Sequence, residues 1–224
     1  MTAFQLKCVL FDLDGTLVDT APDLIACLNK ALLAHGYAEK DQAMLKPLIS
    51  YGALPMIKLA TDNAAPDIQN RILEFMLDCY QENIATHSEF YAGITDTLAN
   101  IEELGLKWGV VTNKRQRFTL PLMTALQLHE RAACIISGDS TAYSKPHAEP
   151  LFAACRLADV NPENCVYIGD AAHDIIAGKN ANMKTLVATY GYLQNTDEPE
   201  KWGADALIAH PQQLQEWIQS SLCR

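Results

Sequence analysis

Asp12 and Asp14 stand two residues apart in Phe11-Asp12-Leu13-Asp14-Gly15-Thr16-Leu17-Val18-Asp19, where the apolar run Leu6-Lys7-Cys8-Val9-Leu10-Phe11 meets a glycine. Such a run followed by Gly reads as a buried parallel strand ending in a tight turn. Residues i and i+2 of a strand project to one face, so the two carboxylates can converge on one point. Neighbouring acids repel, and burying them costs free energy unless a proton or a cation lies between them. A divalent metal at the carboxyl end of the strand resolves that conflict. Asp-x-Asp-Gly is also ordinary turn chemistry, so the pair alone does not decide the matter.

Other stretches place hydroxyl, amine and acid groups beyond apolar runs. Lys107-Trp108-Gly109-Val110-Val111 leads into Thr112-Asn113-Lys114, and Cys165-Val166-Tyr167-Ile168-Gly169 leads into Asp170, with Asp174 four residues on. Ser144-Lys145-Pro146 lies between them. Each has a plain structural reading. Thr112-Asn113 can cap the following helix, an acid such as Asp174 suits a helix N-terminus, and a lysine before proline is an ordinary solvated loop residue. Their joint placement is what carries weight, because open parallel sheets bind ligands beyond the carboxyl ends of their strands at a topological switch point.

From residue 94 onward helix and strand alternate. The pattern predicts helix 94–104, strand 107–112, a helix near 116–127, strand 132–136, a helix over about 147–158, strand 165–169, helix 172–181, strands 184–188 and 206–208, and helix 211–222. Alternation of this kind specifies an α/β fold with a doubly wound parallel sheet, Rossmann-like in its core. Residues 20–86 read as helical throughout. Thr20 and Pro22 are start signals, Leu24, Leu28, Ala31 and Leu32 form one apolar stripe, and Ile68, Ile72, Phe75, Met76, Cys79 and Tyr80 form another. A Tyr51-Gly52 break and an apolar stretch from Leu54 to Ala60 lie between them. The expected organisation is an α/β core of residues 1–17 and 89–224, interrupted by an all-helical cap of residues 18–88 hinged near 15–20 and 87–93.

Composition narrows the function classes. The 224 residues are 49% hydrophobic and 20% charged, which suits a globular protein with a sizeable core. The formal net charge of −10 leaves no basic stripe for nucleic acid. An anionic substrate would therefore need a local positive focus from a metal and one or two lysines. The seven scattered cysteines contain no CxxC and imply reduced thiols rather than zinc or a disulfide framework. Neither a signal-peptide pattern nor a membrane-length apolar run is present, so a cytoplasmic protein with no membrane partner is expected.

Taken together, Asp12-Leu13-Asp14-Gly15-Thr16, Val111-Thr112-Asn113, Ser144-Lys145-Pro146 and Gly169-Asp170-Ala171-Ala172-His173-Asp174 resemble the four motifs of the haloacid dehalogenase superfamily. The resemblance covers the whole chain, including the cap after the first motif. It implies a nucleophile at Asp12 that forms an aspartyl phosphate, and an acid at Asp14 that protonates the leaving alcohol and then activates water. It implies Mg²⁺ held by the Asp12 carboxylate, the Asp14 main-chain carbonyl and Asp170, with Asp174 in a supporting place. Thr112 and Lys145 would hold the transferring phosphoryl group and offset its charge, and Asn113 would contact substrate or phosphate. Asp14 also separates branches of the family: a halide leaving group needs no protonation, so a second acid points to phosphoester hydrolysis.

Thr20-Ala21-Pro22-Asp23 and Thr189-Tyr190-Gly191-Tyr192 resemble the phosphoglycolate phosphatase branch. His87-Ser88, Leu106 to Lys114 and Trp202-Gly203-Ala204-Asp205 resemble bacterial phosphatases of cell-wall sugar recycling. The expected substrate is a small phosphorylated metabolite, N-acetylmuramic acid 6-phosphate, with 2-phosphoglycolate as the alternative and a sugar-phosphate mutase as a further one. A signalling receiver module shares the acid, Thr and Lys set but has no cap. Tyr51 and Gly52 are the candidate cap contacts, with His173 expected to line the fourth-motif loop, and the enzyme is expected as a monomer or homodimer.

Overall fold

A computed structural model describes residues 4–222. The first strand, β1 (Cys8–Phe11), is fully buried, as an apolar run between two helical layers must be. The chain then forms a two-residue strand, β2 (Val18–Asp19), and four helices: α1 (Ala21–Ala34), the short α2 (Gln42–Leu45), α3 (Ala53–Ala60) and α4 (Pro66–Glu82). A 3-10 turn, Lys46–Tyr51, joins α2 to α3. After β3 (Glu89–Phe90) come α5 (Ile94–Glu103), β4 (Lys107–Val111), α6 (Gln116–Ala125), β5 (Cys134–Ile136), α7 (Glu149–Ala158), β6 (Cys165–Gly169), α8 (Ala172–Asn180), β7 (Lys184–Ala188), β8 (Ala206–Ile208) and α9 (Pro211–Leu222).

Six strands form one parallel sheet in the order β5-β4-β1-β6-β7-β8. The chain runs outward from β1 through β4 to β5, then crosses back to β6 and continues outward the other way. The direction therefore reverses beside β1, which makes its carboxyl end the switch point. Alternate strand residues feed opposite faces. Val9, Phe11, Val110 and Ile168 pack with residues of α5, α6 and α9, while Leu10, Val111 and Tyr167 pack with residues of α7 and α8.

The helices between β2 and β3 have a core of their own. Leu28, Leu32, Met56, Ile57, Ile72, Met76 and Tyr80 are buried together, joined by Phe118 and Tyr192 from the sheet-bearing part. Phe75, expected in the apolar stripe, lies instead 43% exposed and packs edge-on against His35, because residues 69, 72, 76 and 80 fill the inward face of α4. The two crossings of the chain are drawn together by the antiparallel pairing of β2 with β3. Buried Asp23 adds a pin: its carboxylate accepts from His87 N, Ser88 N and Ser88 Oγ at 2.6–3.0 Å. Thr20, read as a start signal, does stand at the N-cap of α1, but its hydroxyl goes to Asp14 Oδ1 at 2.5 Å rather than to the helix. Tyr192 Oη takes over that helix start, accepting from Thr20 N at 2.7 Å and Ala21 N at 3.1 Å.

Candidate active site

Because β4, β1 and β6 are neighbours, the residues just beyond their carboxyl ends, Thr112, Asp12 and Asp170, lie side by side. All three are buried. Lys145, expected in a loop, is drawn under them with its side chain fully buried. Its Nζ donates to Asp174 Oδ1 (2.7 Å), Tyr167 Oη (2.7 Å) and Val111 O (3.1 Å). An ammonium has three hydrogens, and those three acceptors use them. Asp12 Oδ1, 2.9 Å from the same nitrogen, therefore feels its charge but has no aligned donor.

Asp12, Asp170 and Asp174 bring carboxylate oxygens within 4.8 Å of one another. Asp170 Oδ2 accepts from Tyr192 N at 2.7 Å and Ser50 Oγ at 2.9 Å, which leaves the buried Oδ1 without a partner. Asp174 caps its own helix by accepting from Ala171 N at 3.1 Å. Burial, then repulsion from Asp12 and Asp174, pushes the Asp170 carboxyl well above the usual carboxylate range. Burial likewise raises Asp12, against the pull of Lys145. Burial works to raise Asp174 as well, but Lys145, His173 and the Ala171 amide outweigh it and hold that carboxyl below its ordinary value. For Lys145, burial favours the neutral amine, and the two aspartates reverse this and raise its pKa.

The charge count shows what these residues fit. Three buried carboxylates face one buried ammonium, so two positive charges are missing. Two buried acid oxygens without an aligned donor belong to members of that cluster, Asp12 and Asp170, and every ligand atom on offer is a hard oxygen. Such a set suits a divalent cation that prefers carboxylates and water, as Mg²⁺ does.

The Asp14 carboxylate turns away from the cluster, toward Thr20 and Lys114; Lys114 Nζ donates to its Oδ1 at 2.9 Å. Any metal contact by Asp14 is thus left to its main chain. The Lys114 ammonium also lies 4.7 Å from the Tyr80 ring centroid, beneath α4. Burial opposes its charge, but Asp14 and Tyr80 prevail and raise its pKa. Asn113, expected against substrate, spends its amide on the main chain of Lys145: Nδ2 donates to Lys145 O (3.1 Å), and Oδ1 accepts from Lys145 N (3.0 Å). It positions the lysine loop and also lines the cavity over the acids.

Above these groups lies a cavity of about 490 Å³. Asp12, Asp14 and Thr112 line its polar end, and half-buried Leu24, Leu73 and Leu77 of α1 and α4 line its apolar wall with Tyr80 and Phe118. Tyr51, Gly52, Arg115 and His173 also face it. Tyr51 packs edge-on to His173 across the gap and donates to Asp197 Oδ1 at 3.3 Å. Gly52 has φ +91° with open space where a Cβ would stand, so the backbone conformation is what calls for glycine there. A shallower depression at the amino end of the strands, beside Lys7 and Arg156, is lined by no grouping of acids or nucleophiles among the described residues.

Residues 9–188 match the family model described as haloacid dehalogenase-like hydrolase. The chain belongs to that family. Among its relatives is the N-acetylmuramic acid 6-phosphate phosphatase of Pseudomonas putida, 42% identical over 98% of this chain and 99% of the relative. The phosphoglycolate phosphatase of Xylella fastidiosa strain 9a5c is 40% identical over 93% of this chain and 91% of the relative. Among solved structures, a predicted phosphoglycolate phosphatase from Haemophilus somnus superposes with a TM-score of 0.85 at 27% identity, over 98% of this chain and all of the other. This hydrolase stands on the phosphatase side of the family. No helix among its described residues is long and apolar enough to cross a membrane.

Reading the sequence missed three residues of this hydrolase's site. Tyr167 sits inside an apolar strand and looks like core, yet its hydroxyl accepts from Lys145 and lies 2.8 Å from Val111 O and 3.2 Å from Asp174 Oδ1. Lys114 belonged to a recognised segment, but nothing local reveals its pairing with Asp14. Ser50, in the helical segment, carries no motif at all. The one available signal was Tyr167 itself, since a Tyr in a buried strand needs a partner for its hydroxyl.

Proposed function

We propose that this phosphatase hydrolyses the phosphomonoester of N-acetylmuramic acid 6-phosphate, with Asp12 as nucleophile and Mg²⁺ as cofactor, the helices of residues 18–88 acting as a substrate-selecting cap. Identities of 42% and 40% are too close to separate the two relatives' substrates. The observation that carries the reading is the cavity: about 490 Å³, acidic at one end and walled by Leu24, Leu73 and Leu77. An amino sugar bearing N-acetyl and lactyl methyl groups would cover that apolar wall, whereas 2-phosphoglycolate, small and charged at both ends, would leave it facing water.

In the mechanism, an Asp12 carboxylate oxygen attacks phosphorus as the ester P–O bond breaks, and Asp14 gives a proton to the departing sugar oxygen. Asp14 then takes a proton from water, whose oxygen attacks the aspartyl phosphate, releasing inorganic phosphate and restoring Asp12. Lys145 keeps positive charge beside Asp12 throughout, and Thr112 lies beside it to hold the phosphoryl oxygens. Asp12, Asp170 and the Asp14 main chain would hold Mg²⁺, with Asp174 in support; when bound, it supplies positive charge to the phosphoryl oxygens. Asn113 and Tyr167 keep Lys145 in place.

Phosphate release should be compared for N-acetylmuramic acid 6-phosphate, 2-phosphoglycolate and common hexose phosphates. The muramic substrate is expected to lead in kcat/KM, with activity lost in Asp12→Asn and on chelation. A clear lead for 2-phosphoglycolate would overturn the substrate assignment. Full turnover by Asp12→Asn would overturn the mechanism.

A further inference from the structure

Ser50 is the one residue of the inserted helical segment, among the described residues, whose side chain hydrogen-bonds to the buried acid cluster. It is the penultimate residue of the 3-10 turn Lys46–Tyr51, next to Tyr51 and Gly52 on the cavity. That short turn makes three outward contacts: Lys46 Nζ pairs with Asp19 Oδ2 of β2 at 2.6 Å, Ser50 Oγ donates to Asp170 Oδ2 of the sheet-bearing part at 2.9 Å, and Tyr51 Oη donates to Asp197 Oδ1, also of that part, at 3.3 Å. Only the middle contact reaches the acids.

Its consequence lies in which oxygen of Asp170 is left over. Tyr192 N and Ser50 Oγ both donate to Oδ2, while Oδ1 is buried and unpartnered. Two donors on one oxygen fix the rotation of the carboxylate and leave Oδ1 as the Asp170 oxygen with a free lone pair for a ligand, in a residue whose carboxylate clusters with those of Asp12 and Asp174. One of those donors is a fixed backbone amide of the sheet-bearing part. The other arrives only when the 46–51 turn lies down on it.

We propose that Ser50 is a positioning residue that couples divalent-cation binding at the acid cluster to the seating of the 46–51 turn. The inference rests on the metal reading of the site and not on the identity of the substrate. With the turn seated, Asp170 presents Oδ1 to the cation; with the turn lifted, Asp170 keeps one donor and its carboxylate is free to rotate. Coupling of this kind is reciprocal, so the cation also holds the turn down, together with the Tyr51-Gly52 surface that faces the substrate.

The test uses the full-length chain without substrate. Mn²⁺ serves as the probe in an electron paramagnetic resonance titration, and Mg²⁺ in hydrogen exchange. Groups that orient metal ligands typically govern affinity by about 10–100-fold. Ser50→Ala is therefore expected to weaken Mn²⁺ binding about 10-fold or more, while Ser50→Thr, which keeps the hydroxyl, stays within about 3-fold of the unmodified protein. Mg²⁺ is expected to slow exchange of the amides of residues 46–52 in the unmodified protein and to lose that effect in Ser50→Ala. A folded Ser50→Ala variant with Mn²⁺ affinity within about 2-fold of the unmodified protein would overturn the coupling, as would exchange over 46–52 that ignores Mg²⁺. If the unmodified protein binds neither ion at millimolar concentration, the metal reading itself falls, and that outcome is distinct because no dissociation constant can then be measured.

Discussion

Lys145→Met isolates the electrostatic core of the site, because methionine keeps much of the stem and removes the charge. The lysine is wholly buried, gives its three hydrogens to Asp174, Tyr167 and Val111, and stands 2.9 Å from Asp12. Removing one partner of a buried ion pair costs about 3–5 kcal/mol, since the remaining charge stays buried without compensation. Here the remainder is a set of three carboxylates within 4.8 Å. Two effects limit the loss: the ammonium no longer has to be desolvated, and the acids can take up protons. The second gives the variant a pH signature. In the unmodified protein the Asp174 carboxyl lies below its ordinary value, so it contributes stability above the unfolded pKa of about 4, lost as pH falls through the lower folded value. In Lys145→Met the same carboxyl is buried without its cation and its folded pKa rises. It then destabilises the fold above that raised pKa, and the penalty shrinks on acidification. Urea unfolding in chelator is the assay, so that no cation replaces the ammonium. With a slope of about 2–3 kcal/mol/M, the midpoint should fall by about 1–2.5 M near pH 7.5. The gap should be clearly smaller near pH 5. A loss under about 1 kcal/mol at the higher pH, or an equal loss at both, would refute the view that Lys145 is held by charge compensation.

Asp23→Ala removes the acceptor that ties α1 to His87 and Ser88 and strands buried donors, so it should cost about 2–4 kcal/mol in chemical denaturation and speed amide exchange at residues 87–90. Gly15→Ala would set a Cβ 2.2 Å from Asp170 Oδ2 at a φ of +81°; both melting temperature and Mn²⁺ affinity should drop, and a variant that retains both would show that the first turn yields easily. Arg115 is exposed where it lines the cavity, so Arg115→Ala should raise KM about 10-fold for N-acetylmuramic acid 6-phosphate. KM should stay within about 2-fold for N-acetylglucosamine 6-phosphate, the same sugar without the lactyl carboxylate; an equal rise for both would place the guanidinium on the phosphate instead.

What the sequence disclosed and what it hid differ by physical cause. The central strands β1, β4 and β6 were legible because a strand buried on both faces is apolar along most of its length, and each ended at a polar residue, Asp12, Thr112 or Asp170, that had no reason to be in a core. β2 and β3, two residues each, are too short to show a period, and only the return of the chain to its starting edge creates them. The ordinary reading of Lys145 as a solvated loop residue fails because its acceptors come from three separate stretches, Val111, Tyr167 and Asp174, which become neighbours only once β4, β1 and β6 are ordered. The same non-locality gives Asn113, the expected substrate contact that does line the cavity, a further part as a clamp on the lysine loop.

The apolar wall of the cavity was hidden for another reason. Leu24, Leu73 and Leu77 share helices with the buried Leu28, Ile72 and Met76 and continue the same stripes, so in sequence they cannot be told from core. At 3.6 residues per turn, however, positions 73 and 77 sit one step round α4 from 72 and 76. That step brings a leucine onto the wall facing Asp12 beside Met76, while it still packs against the insert's own core. A stripe wider than the helical core needs is therefore where substrate choice can change by one methylene at a time, at about 1–3 kcal/mol each. The acids at the strand ends, fixed by charge and by neighbours on three strands, have no such freedom, which is why the chemistry could be read from motifs and the substrate had to be argued from the shape and polarity of a cavity.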